Sequence, residues 1–214
     1  MTPTPLLISL EGVEGAGKST LADALEQGLR ASGHEVIRCR EPGGTSLGEA
    51  VRAVVLDPAH APVSPWSELF LMLAARAQLV REVVEPALAA GSYVLCDRFL
   101  DASTAYQGSG RQLGAEPVTE LNRLATGGRW PDLTLLLDLD PAVGRGRQSH
   151  RPDRMEGEAL DFHQRVRAGY LELADREPER VVRLDAALPR EELAQSAWSA
   201  MCARRPDLPA ELPE

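Results

Sequence analysis

Cysteine is scarce in this 214-residue chain: Cys39, Cys96 and Cys202 stand far apart, and no C-x-x-C pair occurs. An odd, scattered set argues against a disulfide framework and predicts reduced, structural thiols in a cytoplasmic setting. Long apolar runs are missing as well. None approaches the length of a membrane span, so no membrane partner is expected. No basic region precedes the short apolar stretch near the start, so a signal peptide is not expected. Positive charge is in deficit, with 23 Lys and Arg against 32 Asp and Glu and a net charge of −9. Stable nucleic-acid binding needs clustered Lys and Arg, so no stable nucleic-acid partner is expected. Gripping a single nucleotide needs only a few positive charges. There is no internal repeat.

What remains is an ordinary soluble composition, 43% hydrophobic and 26% charged, long enough to bury a substantial core in one domain. Five short apolar, β-prone runs, at 6–10, 35–39, 92–97, 133–139 and 180–184, alternate with segments of helical spacing. The latter span 19–31, 47–56, 65–89, 117–125, 162–174 and 191–203. Alternating strands and helices predict an α/β domain, a five-stranded parallel sheet between helical layers. The run Leu133-Thr134-Leu135-Leu136-Leu137 lacks strict alternation, as expected of a strand covered on both faces. Gly33, Gly91 and Gly127-Gly128 each follow a helical pattern, and Pro65 suits a first helical turn. The tail, 205–214, contains three prolines and little apolar bulk and is expected to fray.

The most specific local feature is Gly12-Val13-Glu14-Gly15-Ala16-Gly17-Lys18-Ser19, which fits G-x-x-x-x-G-K-[ST] between a predicted strand and a predicted helix. Glycines let backbone N–H groups turn toward a phosphate, and the helix start adds partial positive charge. In this pattern Lys18 reaches the β- and γ-phosphates of a nucleoside triphosphate, and Ser19 holds Mg²⁺. A GTPase would add N-K-x-D and a D-x-x-G after the next strand, and a transporter-type ATPase L-S-G-G-Q; the chain contains none of these. A nucleotide-dependent switch is therefore disfavoured against a kinase.

Three further clusters bear on the acceptor. Asp97-Arg98 follows the apolar run at 93–96, at the carboxyl end of a predicted parallel strand where ligands bind. An aspartate there can orient Mg²⁺, and an arginine can bridge phosphates; a surface ion pair is the plainer alternative. Arg40-Glu41-Pro42-Gly43-Gly44-Thr45 reads by itself as a turn. Ser103-Thr104-Ala105-Tyr106-Gln107-Gly108 reads by itself as a loop, although tyrosine and glutamine can stack on and hydrogen-bond a base. A fourth segment, 144–157, carries Arg145, Arg147, Arg151 and Arg154 between a strand and a helix, where a mobile loop could form. A solvated basic loop is its plainer reading.

Taken in order, the stretch Glu11–Thr20, the 40–45 cluster, Ala74-Ala75-Arg76, Asp97-Arg98, Tyr106-Gln107-Gly108, Asp153-Arg154-Met155-Glu156 and the run 166–174 resemble the thymidylate kinase family. The similarity runs from about 6 to about 185. It implies a three-layer phosphate-loop kinase fold with a mobile lid: one nucleoside-monophosphate kinase domain over 1–204, with the lid at about 144–157. It implies phosphorylation of dTMP to dTDP with ATP and Mg²⁺, on the way to dTTP, and a homodimer formed through helices. The helices near 69–79 and 117–125 could supply that surface or equally be core. A phosphate-loop kinase acting on another nucleoside monophosphate or a small metabolite is the alternative.

The resemblance also implies roles. Gly12, Val13, Glu14, Gly15, Ala16, Gly17, Lys18, Ser19 and Thr20 would wrap the ATP phosphates, with Ser19 and Asp97 toward the metal. Glu14 would lie near the acceptor's sugar and phosphate. The phosphate loop contains no arginine, which matches the bacterial type whose lid supplies the catalytic one. Arg151 and Arg154 fit that place best, with Arg147 next. Arg76 and Arg98 match arginines that hold the dTMP phosphate, and Arg52 is a further candidate. Lys18, Mg²⁺ and a lid arginine would stabilise charge on the transferring group, and Arg98 could bridge acceptor and donor. Pro42 would line the thymine pocket, and Ser103, Tyr106 and Gln107 would read sugar and base, Tyr106 standing where a ribose 2′-hydroxyl would go. Tyr170 would lie near the same pocket. Two positions depart from the family pattern. Met72 and Leu73 stand where many relatives stack an aromatic residue on thymine, with Phe70 on another helical face. Phe99 stands where relatives often carry tyrosine or histidine.

Overall fold

The computed structural model describes residues 4–147 and 151–213; 148–150, within the expected lid, and the last residue of the tail lie outside the described residues. Five strands form one sheet: β1 (Leu7–Glu11), β2 (Val36–Arg40), β3 (Tyr93–Asp97), β4 (Leu133–Asp138) and β5 (Val181–Asp185). Their order is β2-β3-β1-β4-β5 and every pairing is parallel. β1 sits centrally and all its residues are buried, as its unbroken apolar run requires. The chain leaves β1 for one edge and later returns to β4 on the other side, so the carboxyl end of β1 is the topological switch point where α/β sheets bind ligands. The register aligns Leu10 with Asp97 and Cys39 with Cys96, which puts Asp97 and Arg40 at that same end.

The helices cover both faces. They are α1 (Lys18–Ala31), α2 (Ser46–Leu56), α3 (Pro65–Leu79), α4 (Glu85–Ala89), α5 (Leu100–Ser103), α6 (Ala115–Ala125), α7 (Pro141–Arg147), α8 (Leu160–Arg176) and α9 (Arg190–Arg204). Thr45 caps α2, its hydroxyl accepting the Gly48 N–H at 3.0 Å. The main core joins β1, β4 and β5 to α1, α8 and α9, with Trp198 fully buried; a second cluster joins Leu79, Val84 and Phe99 under β3.

Local patterning erred in two places. The helix expected over 65–89 is present with those bounds, its middle widened into a π-type turn at Val80–Val84. Pro86 follows it and cannot donate a helical N–H. The segment containing Ser103–Gly108 is helical, α5 running on into a wide π-type turn, Thr104–Gly110. Its glycines weaken any local helix signal, but they let it lie flat on α8: a Cβ at Gly110 would collide with Phe162, and one on Gly169 with Ser109. The tail is docked rather than frayed. Leu208 is buried, the Arg205 guanidinium donates to the Thr4 carbonyl at 2.7 Å, and the Trp198 indole donates to Pro209 at 2.8 Å. Few apolar residues suffice when one of them enters the core.

Candidate active site

The phosphate loop leaves β1 at Glu11 and enters α1 at Lys18. Val13 and Ala16 turn their side chains into the core, so only their backbone can meet a ligand. Gly15 adopts a left-handed φ of 74°, and a Cβ there would strike the Gly144 carbonyl, so the loop lies directly against helix α7. The Lys18 ammonium folds back onto its own loop, 3.2 Å from the Gly12 oxygen and 3.0 Å from that of Val13. Burial and the neighbouring Arg98 lower it to about 8. The Ser19 hydroxyl donates to Asp97 at 3.2 Å. Among the described residues, no group of three or more His, Cys, Asp or Glu could hold a metal. The Ser19–Asp97 pair does offer two hard oxygens beside the loop, which suits Mg²⁺, an ion that keeps several waters and draws other ligands from phosphates.

Two cavities meet at this loop. One, of about 440 Å³, is walled by Pro42, Arg52, Met72, Arg76, Ser103, Tyr106 and Gln107, and by Asp97 and Arg98. The other, of about 930 Å³, runs from Thr20 and Gln27 to the segment after β5. Gly15, Lys18, Ser19 and Arg147 border both. The molecule thus has room for two ligands, side by side across Lys18.

The thymidylate kinase family model matches residues 10–197. The thymidylate kinase of Deinococcus radiodurans is 53% identical over 201 residues, 93% of this chain and 97% of that one. That of Desulfosudis oleivorans is 49% identical over 212 residues, 95% and 99% of the two chains, and that of Desulfovibrio desulfuricans 48% over 205 residues, 92% and 94%. The chain belongs to the thymidylate kinase family. Membership makes it a nucleotide-phosphorylating enzyme.

Around the smaller cavity the expected family residues fall into three groups. Pro42, Ser103, Tyr106 and Gln107 do line it, and Arg52 does too, donating to the Pro42 carbonyl at 2.9 Å. Glu14 lies between the Arg98 guanidinium at 3.0 Å and the Tyr106 hydroxyl at 2.5 Å. Burial opposes its ionisation, but Arg98, Lys18 and that hydroxyl together draw it below the usual carboxylate range. Met72 stands in the wall, whereas Phe70 is 54% exposed beside Trp66. Phe99 is wholly buried and serves as core.

Arg76 and Tyr170 differ from the expectation. Arg76 reaches the cavity floor, but all five of its N–H donors are engaged: by Glu41 twice, Ser103, Asn122 and the Phe99 carbonyl. It has none left for a phosphate. Tyr170 is 1% exposed and does not line the cavity; its hydroxyl donates to Glu11 at 2.7 Å.

The lid arginines separate as well. Arg147 reaches the Gly15 carbonyl at 3.3 Å, where the two cavities meet. Arg151 is exposed. Arg154 is buried and turned away from both cavities. It donates to the Val55 carbonyl at 2.8 Å and pairs with Glu68 at 2.8 Å. Glu68, which belongs to no motif, also accepts from Gln107 at 2.8 Å and from Arg111 at 3.0 Å. No local pattern marks a lone glutamate on α3 as the hub of partners so distant in the chain. Glu11 and Glu41 were in view within their motifs, but their roles depend on partners that only the fold supplies.

Proposed function

We propose that the protein transfers the γ-phosphoryl group of ATP to the phosphate of dTMP, giving dTDP and ADP, as a step toward dTTP. The observation that carries this reading is the pair of cavities that share Lys18, Ser19 and Arg147. ATP would occupy the larger, its phosphates along the loop, and dTMP the smaller. Ser19 and Asp97 would hold Mg²⁺, which when bound offsets charge on the donor phosphates.

The acceptor oxygen is already ionised near neutrality, so no general base is needed. The protein's work is positioning, charge neutralisation and exclusion of water. Arg98 and Arg52 hold the acceptor phosphate, while Arg76 shapes the pocket floor without touching it. Lys18 and Arg147 stabilise charge on the moving group. An arginine at such a point is worth about 10³–10⁵ in rate in related phosphoryl transfers. Tyr106, fixed by Glu14, stands beside the sugar and disfavours a ribose 2′-hydroxyl. Ser103 and Gln107 meet the base, with Met72 against its face.

A homodimer is proposed through the outer faces of α2, α3 and α6, where Leu47, Val54, Trp66, Phe70 and Leu124 are exposed. Among the described residues no helix is long and apolar enough to cross a membrane. A cytoplasmic setting rests on the cysteine spacing alone.

The test is a coupled assay with ATP and Mg²⁺ against dTMP, dUMP, dCMP, AMP and no acceptor. Turnover is expected to be highest with dTMP. A preference for AMP or dCMP would transfer the reading to another monophosphate kinase.

A further inference from the structure

We propose that Glu11 and Tyr170 are positioning residues for Arg98, a pair of buried props that aim its guanidinium at the acceptor phosphate. The proposal rests on the reading of Arg98 as a phosphate-holding residue.

Arg98 has a backbone φ of 68°, a left-handed conformation uncommon for a non-glycine residue. Such a conformation persists where the surroundings over-determine it. Here the surroundings can be named. The Arg98 N–H donates to the Leu10 carbonyl at 3.0 Å, and the Arg98 carbonyl accepts from the Cys96 thiol at 3.0 Å. The next N–H, that of Phe99, donates to Glu11 Oε1 at 2.7 Å. The strained residue is tied on both sides, and one tie is the Glu11 carboxylate.

The side chain is held as firmly. Nη1 donates to the Gly12 carbonyl at 2.9 Å and to the Tyr170 hydroxyl at 3.2 Å, and Nη2 to Glu14 at 3.0 Å. The Tyr106 ring lies 4.9 Å from the guanidinium carbon. Tyr170 can offer Arg98 a lone pair because its proton is directed elsewhere, to Glu11 Oε2 at 2.7 Å. Glu11 therefore acts through both oxygens: Oε1 fixes the backbone after Arg98, and Oε2 orients the hydroxyl under its guanidinium. The Ser9 hydroxyl donates to Oε1 at 2.7 Å and fixes the carboxylate in turn. Glu11 is fully buried, where charged hydrogen bonds are stronger than in water. Neither Glu11 nor Tyr170 lines the cavity; Tyr170 also meets the cavity-lining Tyr106 ring edge-on, 6.3 Å between centroids, a contact that Tyr170→Phe keeps. A long arginine left free would lose rotamer entropy on meeting its ligand; one already aimed loses less.

The experiment separates phosphate recognition from pocket integrity. Binding of dTMP and of thymidine, which lacks the phosphate, is measured by calorimetry for wild type, Tyr170→Phe, Glu11→Gln and Arg98→Ala, and for each of the first two combined with Arg98→Ala. Tyr170→Phe keeps the buried ring and removes only the hydroxyl. In Glu11→Gln the amide nitrogen facing Tyr170 donates, so the hydroxyl proton loses its acceptor. Each is expected to weaken dTMP binding about tenfold, the scale of one lost hydrogen bond to a charged group, and to leave thymidine binding unchanged. Added to Arg98→Ala, neither should weaken dTMP binding further, because the props have nothing left to hold. Equal losses for dTMP and thymidine, or full additivity with Arg98→Ala, would overturn the proposal. If Arg98→Ala alone leaves the ratio of the two affinities unchanged, the phosphate reading of Arg98 fails, and this proposal with it. Should Glu11→Gln not fold, Tyr170→Phe decides the matter alone.

Discussion

Arg76 and Glu41 form an ion pair beneath the smaller cavity, with both side chains almost wholly removed from solvent. Desolvating two charges is costly, and leaving one without the other costs more. Arg76→Met is therefore expected to destabilise the protein by about 3–5 kcal/mol, and Arg76→Met with Glu41→Gln by much less. Urea denaturation of the three proteins measures this. The same single variant should raise the dTMP KM and leave that of ATP nearly unchanged. A single-variant loss below about 1 kcal/mol would mean that water reaches the pair.

Lys18 is the only lysine in the chain. Lys18→Ala should nearly abolish phosphoryl transfer without loss of fold, read by activity and circular dichroism. An amine-directed acylating reagent should place one side-chain label, at Lys18, and inactivate the enzyme. Saturating ATP should prevent both, whereas label at Lys18 with full activity retained would contradict its assigned place.

The lid arginines should divide by position. Arg147→Ala is expected to lower kcat and kcat/KM together, as loss of a transition-state contact does. Arg154→Ala, which breaks a pair with the buried Glu68, should instead lower thermal stability. Kinetics and melting curves of Arg147→Ala, Arg151→Ala and Arg154→Ala decide it. A normal kcat in Arg147→Ala, with a large loss in Arg151→Ala, would return the catalytic role to Arg151.

Glu11 gives a dependence on pH. Burial, then the nearby Asp101, push it up to about 7 from an ordinary 4.5, against the opposing pull of Arg98. Between those values the native state binds more protons than the unfolded chain, so this group makes stability fall as pH rises from 4.5 through 7. Glu11→Gln removes the effect. From pH 4.5 to 8 the stability difference should move in favour of the variant by up to on the order of 3 kcal/mol. Chemical denaturation at the two pH values tests the sign, and a difference that stays flat would count against a raised Glu11.

The strands, most helices and the phosphate loop were legible because each is a local pattern. β1 is a buried apolar run, α1 repeats apolar residues at helical spacing, and the glycine spacing around Lys18 admits few other structures. The cavity-lining residues Pro42, Arg52, Ser103, Tyr106 and Gln107 came from motif resemblance, which carries position but not contact.

Contact was decided by the tertiary structure. Arg76 and Arg98 look equivalent in sequence, yet Arg76 has every donor bound by buried partners while Arg98 lies against Gly12 and Glu14 of the phosphate loop. Arg147 and Arg154 belong to one basic segment, yet α7 sets the first against the phosphate loop while Glu68 draws the second toward α2 and α3. Glu68 meets Gln107 across 39 positions, and Glu11 meets Tyr170 across 159. The sequence by itself determined the layers and the phosphate loop, because hydrophobic period and glycine spacing act within a few residues. The fold alone decided which charges meet, because a buried ion pair depends on the desolvation and geometry of groups that are neighbours only once the sheet has formed.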